Sequence, residues 1–547
     1  MNDQSLALPL QEPLARFEAM KNQALTHIAH HDTEIAIRSC QRLNKAHPNN
    51  PESWYISSSL ALKMKDPTNG IAAIKRALAL APDNGEFLLR YSHFLILSGD
   101  KKQARKVLLT NIDVLQQHAQ SLQSVNGYGE LALQLNAVAE YQMAAKCYQN
   151  ALLFSPNNGE LYFNLASVQR YLGLLSEAEA NFDLAIKYNP NDAEAYLQRS
   201  SLKKQTRENN HLESLRQAIK TKSNHPIARA QLHYALAKEL EDLKDYQVSF
   251  EQLKLGARCR RRHMNYRVEQ DVEALNLIRT TYDKHWFEQT KANTKEQTQG
   301  ASAIFILGLP RTGSTLVERI VSSHSQVTNA GELNDFAVCM MEHAQQHLRG
   351  EPSKAQMIQA ASQVNANQLG KSYLKRVSHL DINTEKFVDK LPLNSLYLGL
   401  IGTALPSAKL IHVKRHPMDT CYAIYKQIFT QGYPFSYDLE ELGRYYIAHH
   451  RLMEHWLDTM GSRILQVNYE QVVADLETQA RRLLAHCGLA FESQCLQFNH
   501  NKSASTTASA SQVRQGIYNT SVQRWRCYEV QLQPLKKQLE AAGIDCS

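Results

Sequence analysis

Gly308-Leu309-Pro310-Arg311-Thr312-Gly313-Ser314-Thr315 has the residue types that grip a phosphate. Two glycines allow the turn that aims backbone N–H groups inward, and the start of the following helix adds partial positive charge. The Ser314 and Thr315 hydroxyls can donate to the same phosphate. The spacing from Gly308 to Gly313 is that of a nucleoside-triphosphate loop, but Ser314 stands where that loop requires lysine. The cation lies inside the loop instead, at Arg311. A kinase or GTPase would therefore lack the lysine that contacts its phosphates, which argues against that class.

A cradle of this kind needs a strand before it and a helix after it. Ala303-Ile304-Phe305-Ile306-Leu307 is a short apolar run of the buried parallel type, and Leu316 to Val321 has a helical pattern. Two more strand-like runs lie at 409–413 and 463–467, with helical stretches between them. The alternation predicts an α/β domain with a mostly parallel sheet over 303–547. Ahead of it, 290–302 has the polar composition of a linker, within a connecting helix and linker at 266–302.

The N-terminal part repeats itself. Pro48 and Pro82 are 34 residues apart, as are Pro156 and Pro190, Ala144 and Ala178, Tyr148 and Phe182, and Ala151 and Ala185. In the clearest unit Gly159 opens a helix, Gly173 ends it, and a second helix runs through Ala178, Phe182 and Ala185 to Pro190. This resembles the tetratricopeptide repeat. Ala104 and Ala144 occupy equivalent positions yet are 40 residues apart, so an insertion of about six residues is expected between Thr110 and Gly129. Such units bury their apolar faces only by stacking, which predicts an α-superhelix over 1–265, with 234–250 still pairing as a repeat.

Residues 305–320 resemble the 5′-phosphosulfate loop of sulfotransferases, above all the protein-tyrosine type, whose Pro-Arg-Ser-Gly-Thr-Thr compares with Pro310-Arg311-Thr312-Gly313-Ser314-Thr315. The resemblance covers roughly 300–530, and with the repeats in front it is that of bacterial fusions of tetratricopeptide repeats to a P-loop-like α/β sulfotransferase domain. It implies 3′-phosphoadenosine-5′-phosphosulfate as co-substrate, with its 5′ end held by Arg311, Thr312, Gly313, Ser314 and Thr315. The family's second signature, a strand followed by an arginine and a helix bearing a serine eight residues on, is matched by Arg415 for the 3′-phosphate. The serine position is Ala423. A third segment, Arg514-Gln515-Gly516 with Arg524 downstream, is similar to the loop that closes over the 3′-phosphate, and 502–511 before it has the composition of a lid. Tyr469 matches a tyrosine near the adenine.

Sulfuryl transfer needs a base for the acceptor hydroxyl, charge on the moving group and neutralisation of the leaving phosphate. The resemblance implies Glu332, in Gly331-Glu332, as general base. It implies Lys390, in Asp389-Lys390-Leu391-Pro392, over the bridging oxygen, with Asp389 orienting it and Arg311 on the sulfuryl oxygens. Arginine and lysine supplying the charge would leave no role for a metal. None of the 22 histidines has ligand spacing with carboxylates or cysteines.

Hydrophobic residues at 43%, charged residues at 21% and a net charge of +8 describe folded protein with no case for nucleic acid. Nine cysteines without a C-x-x-C pair suggest reduced thiols in a cytoplasm. No signal-like run or membrane span is expected. The basic run Arg258 to His263 is expected to cap the repeats or face solvent. The acceptor is expected to be a peptide, protein or glycan hydroxyl, with the repeats holding it or a protein partner. The competing reading is a repeat-based scaffold whose α/β domain binds nucleotide with little or no activity, and Ala423 is the feature that favours it.

Overall fold

The computed structural model describes residues 11–30, 33–122, 124–221, 225–292, 299–378, 380, 382–429, 432–501, 516–517 and 520–547. The chain forms two compact units, Met1–Asn189 and Pro190–Ser547. It is a helical repeat region followed by a domain with a parallel five-stranded sheet.

The first unit is built of helix pairs. Pro51–Lys63 pairs with Pro67–Leu80, Val125–Ala137 with Tyr141–Phe154, and Gly159–Leu172 with Leu175–Tyr188. The repeated alanines sit at the crossings: Ala104, Ala144, Ala151, Ala178 and Ala185 are fully buried. A larger side chain there would force the helices apart. Asn50, Asn84 and Asn158 cap helix starts by accepting from a backbone N–H, so the period extends to the caps. Gly173 closes its helix in the left-handed region at φ 82°. The expected insertion takes the form of an extra helix, Ile112–Ser121, after a shortened Lys101–Thr110.

The second unit begins inside the repeat region. Helices Pro226–Asp242 and Tyr246–Arg261 pair as expected and share an apolar core with the sheet domain through Tyr234, Ala237, Phe250 and Leu253. Tyr234 donates its hydroxyl to the Tyr425 carbonyl at 2.9 Å. Arg261, from the basic run, forks onto both Glu441 oxygens at 2.6 and 2.7 Å, so it braces helix Leu439–Met460 instead of facing solvent.

The strands are β1 (Ala303–Leu307), β2 (Val327–Gly331), β3 (Lys386–Lys390), β4 (Lys409–Lys414) and β5 (Ile464–Asn468), in the order β2-β3-β1-β4-β5. Every pairing is parallel. β1 is central and buried along its length, with Phe305 and Leu307 in one core and Ile304 and Ile306 in the other. β1, β4 and β5 answer the three apolar runs. β2 and β3 are two strands beyond the apolar runs: Asn329 to Gly331 are strand, and Lys390 ends a strand.

Among the described residues no helix is long and apolar enough to cross a membrane.

Candidate active site at the carboxyl edge of the sheet

Parallel strands place all their C-terminal ends on one edge, where ligands bind in open α/β sheets. Here each strand delivers one predicted residue to that edge. β2 is followed by Glu332, β3 ends in Lys390, β1 runs into 308–313, β4 leads to Arg415 and β5 to Tyr469. The strand order sets them side by side as Glu332, Lys390, the loop, Arg415 and Tyr469. Four strand spacings make a row of about 19 Å.

The loop turns tightly. Gly308 has φ +144°, and a Cβ there would lie 2.3 Å from the Val413 carbonyl oxygen. Gly313 has φ +97°, and a Cβ there would lie 2.4 Å from the Tyr469 ring. Arg311 also adopts a left-handed backbone, φ 67°, a conformation costly for a residue with a side chain. Thr312 closes the turn by donating to the Leu309 carbonyl at 2.8 Å. Ser314 and Thr315 open helix Ser314–Ser322 and are buried at the mouth of the loop.

Arg415 ties the loop to the far side of the row. It donates to the Arg311 carbonyl at 3.2 Å and to the Ser521 carbonyl, and its guanidinium lies 5.0 Å from the centre of the Tyr469 ring. Its Nε is buried without a hydrogen-bond partner among the described residues. Tyr469 and Ser521 share a hydroxyl hydrogen bond of 2.7 Å. Asp419, one helical turn after Arg415, faces it at 3.7 Å and accepts from the backbone of Gln523 at 2.7 Å and Trp525 at 3.0 Å. Asp419 and Ser521 were missed from sequence. The i to i+4 spacing of Arg415 and Asp419 was the signal for the first.

Ala423 is buried in helix Pro417–Tyr425, and Thr420 spends its hydroxyl on the Arg415 carbonyl at 3.2 Å. Ser521 meets Arg415 through its backbone carbonyl, while its hydroxyl bonds to Tyr469.

At the other end Lys390, 2% exposed, donates to the Glu332 carboxylate, which is open to solvent. Asp389 does not orient Lys390. It accepts from Tyr373 at 2.8 Å, from Asn394 at 3.3 Å and from the Leu333 backbone. Burial pushes its carboxyl up to about 7. It thus holds the backbone next to Glu332. Glu318, also missed, is buried beside Lys390 and accepts from Asn329, whose side-chain oxygen accepts from the Gly331 N–H at 2.8 Å. Burial raises the Glu318 carboxyl despite Lys390 and Arg319 nearby.

Arg524 is not in this row. Its guanidinium pairs with Glu241 at 3.4 Å and lies 5.2 Å from the centre of the Tyr246 ring, both residues of the helical repeat region. Gly516 is exposed with open space around it. Arg514, Gln515 and the expected lid at 502–511 lie outside the described residues. No group of three or more His, Cys, Asp or Glu that could hold a metal ion occurs among the described residues.

Residues 303–493 match the model of the sulfotransferase family. Residues 10–162 match the tetratricopeptide-repeat domain of cytochrome c-type biogenesis protein H, and 159–192 match a tetratricopeptide repeat. An uncharacterized protein of Aquifex aeolicus (strain VF5) is 34% identical over 331 residues, which is 58% of this chain and 43% of that protein. The chain thus spans less than half the length of this curated relative. Among solved structures, the sulfotransferase domain from the curacin biosynthetic pathway is similar at 17% identity and a TM-score of 0.33, covering 45% of this chain and 98% of that one. The MamA protein is similar at 21% identity and a TM-score of 0.28, covering 32% of this chain and 94% of that one.

Proposed function

We propose that this chain, a sulfotransferase-family domain behind tetratricopeptide repeats, moves a sulfuryl group from 3′-phosphoadenosine-5′-phosphosulfate to a hydroxyl of a peptide, protein or glycan, tyrosine included. The order of side chains along the sheet edge carries the reading: a carboxylate, a buried lysine, a phosphate-type loop and a buried arginine lie in one row. In this reading transfer belongs to 303–547, acceptor or partner binding to 1–265, and 266–302 connects them. Nine free thiols, seven of them buried, suit a reducing, cytoplasmic setting.

The donor supplies an activated S–O bond whose electron pair leaves on the bridging oxygen as adenosine 3′,5′-bisphosphate forms. Glu332 takes the acceptor's proton as the new S–O bond forms. Lys390, held by Glu332, places its ammonium toward the oxygen that gains charge. Arg311 and the N–H groups of the loop hold the 5′-phosphate and sulfuryl oxygens, together with Thr312, Ser314 and Thr315. Arg415 holds the 3′-phosphate, beside Ser521 and Tyr469. Arg524, already paired with Glu241, is left out of this set, and Gly516 with Arg514 and Gln515 remains a candidate closing loop.

The deciding experiment incubates the full chain with labelled donor and candidate acceptors and follows adenosine 3′,5′-bisphosphate release and label transfer. Donor binding without transfer to any acceptor would favour the second reading, a repeat scaffold with an inactive nucleotide-binding domain. The buried Ala423 in place of a hydroxyl speaks for that reading.

A further inference from the structure

We propose that Glu241, on a helix of the repeat region, is a positioning residue of the donor site: it fixes segment 521–528 over Arg415 and so sets affinity for the 3′-phosphate. The proposal rests on the donor-site reading above.

Glu241 lies near the end of helix Pro226–Asp242, far in sequence from every residue of the sheet edge. Its carboxylate nevertheless collects four partners from the α/β part. Lys426 donates at 2.9 Å, the Tyr528 hydroxyl donates at 2.9 Å, the Tyr422 hydroxyl donates as well, and Arg524 lies at 3.4 Å. Tyr422 belongs to helix Pro417–Tyr425, which starts two residues after Arg415, and Lys426 follows it directly. Arg524 and Tyr528 belong to the short helix Arg524–Tyr528.

Segment 521–528 therefore has two anchors. On one side Asp419 accepts from its Gln523 and Trp525 backbone N–H groups. On the other Glu241 takes Arg524 and Tyr528. Ser521, two residues before Gln523, presents its carbonyl to Arg415 and its hydroxyl to Tyr469. Aromatic packing supports the second anchor: the Tyr422 and Tyr528 rings are 4.5 Å apart, and Tyr246 and Tyr528 are 5.4 Å apart.

Charge makes Glu241 hard to replace. Burial by itself would raise its carboxyl, but Lys426 and Arg524 outweigh that and hold it at about 2, so it is anionic whenever the protein is folded near neutrality. A neutral side chain would leave Lys426 and Arg524 close together without compensation, and the segment carrying Arg524 would lose its reason to stay. The last repeat pair is in this way part of the donor site's support as well as of the repeat array.

The test uses the full chain and calorimetric titration with two probes, adenosine 3′,5′-bisphosphate and adenosine 5′-phosphate, the second lacking the 3′-phosphate. Glu241→Gln is expected to weaken bisphosphate binding about tenfold and to leave the 5′-phosphate within about twofold. Tyr528→Phe, which removes only one hydroxyl from the same anchor, is expected to shift selectivity in the same direction by a smaller factor, and it supplies the result if Glu241→Gln does not fold. Equal losses for both nucleotides would mark a general structural role and overturn the proposal, as would unchanged affinity for both. A wild-type chain that binds neither nucleotide overturns the donor-site reading itself, and the positioning role falls with it.

Discussion

Lys390, almost entirely buried at the end of β3, donates a hydrogen bond to the exposed carboxylate of Glu332 at the end of the neighbouring β2. A buried ammonium is costly unless it is paired, and here the pair sits at the open edge of the sheet, not inside its core. The cation thus faces the same space as the carboxylate, and the two can serve one reaction from adjacent strands.

Glu332→Gln keeps the shape of this pair but removes the base. Turnover is expected to fall by about 10²- to 10⁴-fold, with affinity for adenosine 3′,5′-bisphosphate nearly unchanged. Steady-state rates with a true acceptor, set beside calorimetry, check it. Wild-type turnover would remove Glu332 as base.

Arg311→Ala and Arg415→Ala should separate the two ends of the donor. A hydrogen bond to a charged group contributes ~1.5–3 kcal/mol, so each change is expected to weaken bisphosphate binding by roughly ten- to a hundredfold. Loss of Arg311 should also weaken adenosine 5′-phosphate, whereas loss of Arg415 should spare it.

Gly313→Ala would place a methyl group 2.4 Å from the Tyr469 ring on a backbone at φ +97°. The left-handed conformation alone costs roughly 1–2 kcal/mol for a residue with a side chain. Displacing Tyr469 would disturb both Arg415 and Ser521. Lower Tm together with weakened nucleotide binding is expected, and a fully stable variant would contradict the tight turn.

Asp389 predicts a pH dependence. Its carboxyl is raised from 3.8 unfolded to about 7 folded, so between those values the folded chain binds more protons. The Asp389 contribution therefore lowers stability as pH rises through that window, and it is fully favourable only below about pH 4. Denaturant unfolding of wild type and Asp389→Asn across this range should give a stability difference that shifts toward the variant as pH rises. A constant difference would show that Asp389 does not titrate there.

Much was legible in the sequence because it is locally encoded. The repeat helices follow from alanines, capping asparagines and glycines at fixed spacing, which act within one unit. β1 follows from an uninterrupted apolar run and β4 from Leu410, Ile411 and Val413 around a single buried histidine, since strands in the middle of a parallel sheet are buried on both faces. β2 and β3 escaped because they are partly polar or end in charge. Val327–Gly331 is an edge strand with one buried residue, and Lys386–Lys390 holds an acid and a lysine that only neighbours make tolerable. Asp389 needs Tyr373 and Asn394, and Lys390 needs Glu332.

The sequence by itself determined the composition of the candidate site: the glycine loop with Arg311 in it, Glu332, Lys390, Arg415 and Tyr469 are readable from local pattern and resemblance. Tertiary structure alone decided their order, because the pairing of parallel strands is set by long-range packing and not by any one segment. It also turned Asp389 to Tyr373 and Arg524 to Glu241, against the sequence expectation for both. Burial makes an unpaired charge costly, so each such group takes the partner that folding brings within reach, however distant along the chain.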